Sequence, residues 1–215
     1  MKSHYEIEQT ADWHYDPSQP PLAGDLRKLE SVNIEGIKTE VEELLVRPYD
    51  LGGVKRIHSG DPALAVDNAD INIRSQHMRE IGYTQEHYFI EFNNDVIEDF
   101  AAQQKQRFNL AHEHHCVILI PPGQCMPVHG DTYSYLMRFM KRDNPTVKYD
   151  LKTNAKRYLT LLTDWEWGQV LGAGNQLTWQ WAKGDTYEWE HKLIHWSANA
   201  GFKPMAFFEI TGLEI

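Results

Sequence analysis

From residue 115 to the end, short apolar runs alternate with turn residues, and this punctuation restricts the chain to few folds. The runs cover 115–120, 128–131, 134–140, 157–162, 169–171, 177–181, 186–189, 193–198 and 205–211. Between most of them stand Pro122-Gly123, Gly172-Ala-Gly174, Lys183-Gly-Asp185 and Gly201. Many short strands at regular spacing predict an all-β sandwich or barrel. Residues 141–156 are polar and charged and are expected to form a loop. No internal repeat interrupts the series.

The first half reads differently. Residues 1–31 look irregular around Pro17-Ser-Gln-Pro-Pro21, an arm that Tyr5, Trp13 and Tyr15 are expected to anchor on the domain. Ile37, Val41, Leu44 and Leu45 recur at helical spacing, which predicts a helix over 34–46 with Asn33 as N-cap and Arg47-Pro48 as the stop. Residues 49–86 carry mostly turn chemistry and are expected to form a binding loop or lid. Residues 88–92 predict a strand. A helix from Asp95 to about Arg107 follows, with Glu98 in capping-box position and Val96, Ile97, Phe100 and Ala101 on one face. At 215 residues the expectation is a single domain, 1–110 supporting a β core over 111–215.

Within the β region, Met126-Pro-Val-His-Gly-Asp-Thr-Tyr133 places His129 and Asp131 two residues apart. On an extended strand such residues share a face, so an imidazole and a carboxylate converge. His195 lies in a strand-like run with Leu193 and Ser197 on its face. His191, four residues earlier, competes for the same role. Two His and one carboxylate are the donors that hold non-haem Fe(II) while leaving coordination positions open. His129-x-Asp131 alone is a weak signal, because a turn-stabilising Asp gives the same pattern, and a lone strand His is commonly a core residue bonded to backbone. His112-Glu-His-His115 resembles a second metal cluster, but it directly precedes an apolar run and is read as a surface or strand-entry segment.

The chain from about 115 to 212 resembles the Fe(II)/2-oxoglutarate-dependent oxygenases, which fold as a double-stranded β-helix, a cupin-like jelly roll. The resemblance is carried by His129-Gly-Asp131, Arg157-Tyr-Leu-Thr-Leu-Leu-Thr-Asp-Trp165, Lys183-Gly-Asp185, His195-Trp-Ser-Ala-Asn-Ala-Gly201 and Phe207-Phe-Glu-Ile-Thr-Gly212. The Arg-Tyr-Leu…Asp-Trp segment is similar to the aspartyl/asparaginyl-hydroxylase-like branch. Residues 1–110 carry no such signature.

The resemblance implies His129, Asp131 and His195 as metal ligands and prefers His195 over His191. It implies 2-oxoglutarate as a chelating cosubstrate, O2 at the remaining position, and conversion to succinate and CO2 with hydroxylation of a substrate. The carboxylate at Asp131 disfavours halogenation. Many members anchor the distal carboxylate with an Arg about ten residues past the last His; that position here is Met205. The expectation moves to Arg157, with Arg138 and Lys203 as alternatives, because a desolvated dianion needs a cation and a guanidinium matches it best. Tyr133 and Asn199 are further cofactor-binding expectations, Asn199 with a turn role as its alternative. The tryptophans from Trp165 to Trp196 are expected to pack the core and rim, one or two facing substrate. A cupin-type metalloenzyme without 2-oxoglutarate, or a non-catalytic cupin-like binding module, would share the barrel.

The formal charge of −10 and the lack of a basic run disfavour a nucleic-acid partner and favour a small molecule, amino acid or peptide. No apolar signal core or 18-residue apolar run is present, so a cytosolic protein without a membrane partner is expected. Two cysteines, Cys116 and Cys125, make no disulfide framework. Cys125 is expected to be oxidation-sensitive. No Walker loop, dinucleotide fingerprint or Gly-x-Ser-x-Gly is present. Oligomeric state is not legible.

Overall fold

The computed structural model describes residues 26–47, 55–58, 88–129, 136, 154–190 and 193–215, with backbone alone at 55–58, 88–91, 127–129 and 190. Two helices, α1 (Lys38–Val46) and α2 (Asp95–Arg107), stand before the main β region. Eleven strands are described: β1 (Arg27–Lys28), β2 (Lys55–His58), β3 (Tyr88–Phe92), β4 (Leu110–Ile120), β5 (Gln124–His129), β6 (Ala155–Leu161), β7 (Gln169–Ala173), β8 (Gln176–Thr178), β9 (Thr186–Glu190), β10 (His195–Asn199) and β11 (Met205–Glu214). They form a larger sheet in the order β1-β9-β6-β11-β4-β3-β2 and a smaller one in the order β5-β10-β7-β8. All pairings are antiparallel.

Counted from β4, the first, eighth, third and sixth of the eight strands adjoin in one sheet, and the second, seventh, fourth and fifth in the other. That order is the double-stranded β-helix, a jelly roll closed by two sheets. Its inner core includes Ile118, Ile120, Leu159, Leu161, Trp189 and Phe207. The opposite face of the larger sheet, with Val117, Leu119, Phe208 and Ile210, packs on Ile37, Val41 and Leu44 near α1 and on Ile97, Phe100 and Ala101 of α2. The central strands β4 and β11 are therefore covered on both faces. Such strands read as continuous apolar runs without alternation.

The helices differ in detail from their sequence reading. A 3-10 turn at Glu35–Ile37 precedes α1; Asn33 Oδ1 accepts from Glu35 N at 3.0 Å just ahead of it, but Asn33 is the N-cap of neither helix, those positions being Ile34 and Ile37. Helix α2 runs Asp95–Arg107 as expected; its cap is Asn94, whose side chain accepts from Ile97 N at 3.0 Å, so Glu98 falls one residue past the capping-box position. The buried stripe then runs Ile97, Phe100, Ala101 and Gln104, at i, i+3, i+4 and i+7. Val96 falls outside it and is exposed. β4 begins at Leu110, earlier than its apolar run, so His112 to His115 belong to the strand. The expected strand over 134–140 lies outside the described residues except Leu136, which is buried and helical in backbone. Most of 49–86 also lies outside them; β2 is the described part.

Lys183-Gly-Asp185, one of the turns between the apolar runs, does more than turn the chain. Asp185 is buried and accepts from Lys28 Nζ at 2.7 Å, Ser31 Oγ at 3.1 Å and Ala182 N at 3.1 Å. Burial pushes its pKa up, but these bonds and the Lys28 charge win, and it lies below the ordinary carboxylate value. Gly184 has φ +87°, and a Cβ there would sit 2.6 Å from the Val32 carbonyl oxygen. Only glycine lets the segment around Val32 approach so closely. The turn thus fastens residues 28–32 to the sheet, beside the β1–β9 pairing.

Candidate metal centre

β5 is an edge strand of the smaller sheet and β10 is its neighbour. His195 is the register partner of His129 on one side and of Ala173 of β7 on the other. Two residues farther on, Ser197 pairs with Met126, so β5 carries one extra residue between the two pairs. Such bulges re-aim side chains near sites, and they accommodate proline, which cannot donate to the ladder. Pro127 falls in this bulge. Asp131 and Tyr133 lie outside the described residues, as do His191 and Arg138.

Along β10, His195, Ser197 and Asn199 are buried and Trp196 and Ala198 only partly so, which is the alternation the sequence predicts. His195 is 4% exposed. Its Nδ1 lies 2.9 Å from the Leu193 carbonyl oxygen, which can only accept. Nδ1 therefore carries the proton, and in the neutral ring Nε2 is the lone-pair nitrogen. This is the tautomer a metal-ligating histidine adopts, with the second nitrogen held by a carbonyl. The donor chemistry at His195 fits a bound divalent ion. Among the described residues no group of three His, Cys, Asp or Glu is arranged around one point.

Across the interior, the His195 ring meets Trp189 of β9 at 5.2 Å between centroids. Trp189 belongs to a row of register partners across the larger sheet: Trp189 with Arg157, Arg157 with Thr211, Thr211 with His114. Arg157 is buried, its Nε donates to Thr211 Oγ1 at 2.9 Å, and its Nη1 pairs with Glu209 at 3.2 Å. Its guanidinium carbon is 5.9 Å from the Trp189 ring centroid. His195, Trp189, Arg157 and Glu209 thus form one continuous contact path. Trp189 Nε1 is buried with no acceptor among the described residues.

Asn199, expected to bind cofactor, is engaged elsewhere. Its Nδ2 donates to the Ile120 and Lys203 carbonyls, both at 2.9 Å, and its Oδ1 accepts from Gly201 N at 3.1 Å. It stands four residue steps along the strand from His195, about 13 Å of rise. Its amide holds the turn before β11, the alternative role. Met205 is fully buried opposite Ile120, so an apolar side chain occupies the position where many oxygenases carry an arginine. Lys203 pairs with Glu166 and is largely exposed, which removes it as an interior anchor. Trp181 and Trp189 are buried, whereas Trp167 and Trp179 are exposed.

The His112–His115 segment is not one cluster. His114 pairs in register with the inner-face residue Thr211, whereas His115 lies on the helix side. His115 Nδ1 is 2.8 Å from Glu113 and Nε2 is 3.2 Å from Glu98 of α2. Burial opposes its charged form, yet the Glu113 hydrogen bond and the charges of Glu113 and Glu98 outweigh that, and its pKa is raised. Cys116 is buried and Cys125 partly buried. A separate cleft of about 390 Å³, lined by Ile34, Lys38, Val41, Leu162, Lys183 and Lys203 among others, shares no residue with the His195 path.

Glu209 and Thr211 were missed because the last strand was read as apolar throughout. Period-two alternation from Phe207 would have placed both on the inner face, with Arg157 sharing a face with Leu159 and Leu161.

No protein-family model matches the chain, and no curated protein matches it. Solved structures with partial likeness include an uncharacterized conserved protein with a double-stranded β-helix domain from Klebsiella pneumoniae, at TM-score 0.31 and 16% identity, covering 48% of this chain and 70% of that one. A predicted oxalate decarboxylase from Thermotoga maritima gives TM-score 0.35 and 11% identity, covering 60% and 83%. A cupin domain from Bordetella pertussis gives 0.32 and 13%, covering 49% and 84%. The fold itself rests on strand order: the chain is a mainly β, double-stranded β-helix protein with two short described helices.

Proposed function

We propose that this protein is an Fe(II)/2-oxoglutarate-dependent dioxygenase, with His129, Asp131 and His195 holding the metal. The observation that carries the reading is the register pairing of His129 with His195, with Nδ1 of His195 tied to the Leu193 carbonyl. Residues opposite one another in an antiparallel pair share a sheet face, which is what two ligands of one ion require. Asp131 supplies the third donor and offsets the metal charge. Fe(II), 2-oxoglutarate and O2 together supply the oxidation, yielding succinate, CO2 and a hydroxylated small molecule, amino acid or peptide.

The chain's own residues bind and orient. Arg157 is the proposed anchor for the distal carboxylate of 2-oxoglutarate. Its inward position, one aromatic ring from His195, supports that role. Trp189 stands between cation and imidazole.

A second reading, a cupin-type metalloenzyme that does not use 2-oxoglutarate, is favoured by one observation. Arg157 already has an interior carboxylate partner in Glu209. Succinate formation with Fe(II), O2 and 2-oxoglutarate separates the two. If metal binds and no succinate appears even in the presence of candidate substrates, the oxygenase reading is rejected and the cupin reading stands.

A further inference from the structure

The guanidinium assigned to a ligand carboxylate already faces one from the chain itself. Arg157 and Glu209 side chains are only 10% and 12% exposed, and their charged atoms lie 3.2 Å apart. Thr211 holds Arg157 Nε, so the guanidinium stays oriented without Glu209. Beside them, Trp189 is 2% exposed, and its Nε1–H lacks an acceptor among the described residues. A buried indole N–H normally has a partner. A carboxylate reaching Arg157 on its Trp189 side would meet two donors and one fixed like charge.

We propose that Glu209 is an intramolecular competitor for a carboxylate subsite built from Arg157 and the Trp189 N–H, and thereby sets which acids the site retains. The inference rests on the reading of Arg157 as the carboxylate anchor. In a desolvated interior two carboxylates on one guanidinium repel, so an incoming acid must share the cation with Glu209 or displace it. A simple dicarboxylate then binds weakly. A 2-oxo acid that also chelates a metal has a second attachment and tolerates the competition. Glu209 in this way discriminates against an acid that has lost its chelating group, as succinate has.

The test is calorimetric titration of metal-free protein with succinate, in wild type, Glu209→Gln, Arg157→Gln and Trp189→Phe. Glu209→Gln is expected to tighten binding by about tenfold or more, Arg157→Gln to abolish it and Trp189→Phe to weaken it. Unchanged binding in Arg157→Gln overturns the anchor reading together with this proposal. Loss in Arg157→Gln with no gain in Glu209→Gln overturns the competitor alone and leaves the anchor standing. No binding in wild type or in Glu209→Gln also overturns it. If Glu209→Gln folds poorly, Glu209→Met removes the charge at similar volume, and the readout becomes the succinate-induced rise in Tm. A larger rise than in wild type supports the competitor, and an equal one rejects it.

Discussion

The His195 imidazole lies 5.2 Å, ring to ring, from Trp189 on the facing sheet. A metal held by that imidazole would sit within quenching distance of one buried indole. Anaerobic Fe(II) is expected to quench tryptophan emission in wild type. Trp189→Phe should lose most of that response while still binding metal. His195→Ala should weaken metal binding by at least about a hundredfold, since loss of even an outer partner costs up to that much. Full quenching in His195→Ala would remove His195 from the ligand set.

Arg157 demands a paired experiment. Arg157→Gln removes the cation that pairs with the largely buried Glu209 and is expected to destabilise the fold. The double variant Arg157→Gln/Glu209→Gln removes both charges and should recover much of that stability. Both variants are expected to raise the apparent 2-oxoglutarate requirement strongly. If the double variant is stable and its requirement matches wild type, the anchor is another residue.

His115 makes stability depend on pH. Its pKa is raised above 6.5, so its contribution is complete below 6.5 and is lost as pH rises through the higher folded value. For Glu113 burial pushes the pKa up, but the hydrogen bond from His115 and nearby positive charge prevail, and it lies below 4.5. Its contribution is present above 4.5 and is lost as pH falls through the lower folded value. Lys105 and His114 also act on Glu113, and Glu98 on His115. Denaturant melts should therefore show a plateau between these limits and a decline on the alkaline side. His115→Gln should flatten that decline; an unaltered slope would mean that another group titrates.

Gly172 lies under Trp196, its register partner on β10. A Cβ at 172 would come within 2.2 Å of the indole Nε1. Gly172→Ala is expected to destabilise by about 1–3 kcal/mol, because the ring must move. Combining it with Trp196→Leu should cost less than the sum of the two single changes. Strict additivity in thermal melts would place the strain elsewhere.

Much of the architecture was legible because its cause is local. Turn residues between apolar runs mark strands whatever their partners, and the stripe Ile97, Phe100 and Ala101 marks a helix face. The edges were harder. His112 to His115 are polar, and only the long pairing of β4 with β11 extends the strand back to Leu110. The caps were hard to place because Asn33 makes only a local bond to Glu35 N, while Asn94, next to the equally suitable Asp95, is the residue whose side chain takes Ile97 N.

The sequence by itself marked most of the strands described after residue 110 and named His195 as a ligand candidate, since both depend on residue type and on neighbours a few positions away; β1 and β2 fell in segments read as irregular. Only the tertiary structure set His129 and His195 as register partners, Glu209 against Arg157, and Asn199 on a turn. Sheet pairing joins positions tens of residues apart. Which of them meet depends on register, and register is fixed by burial across the whole sheet.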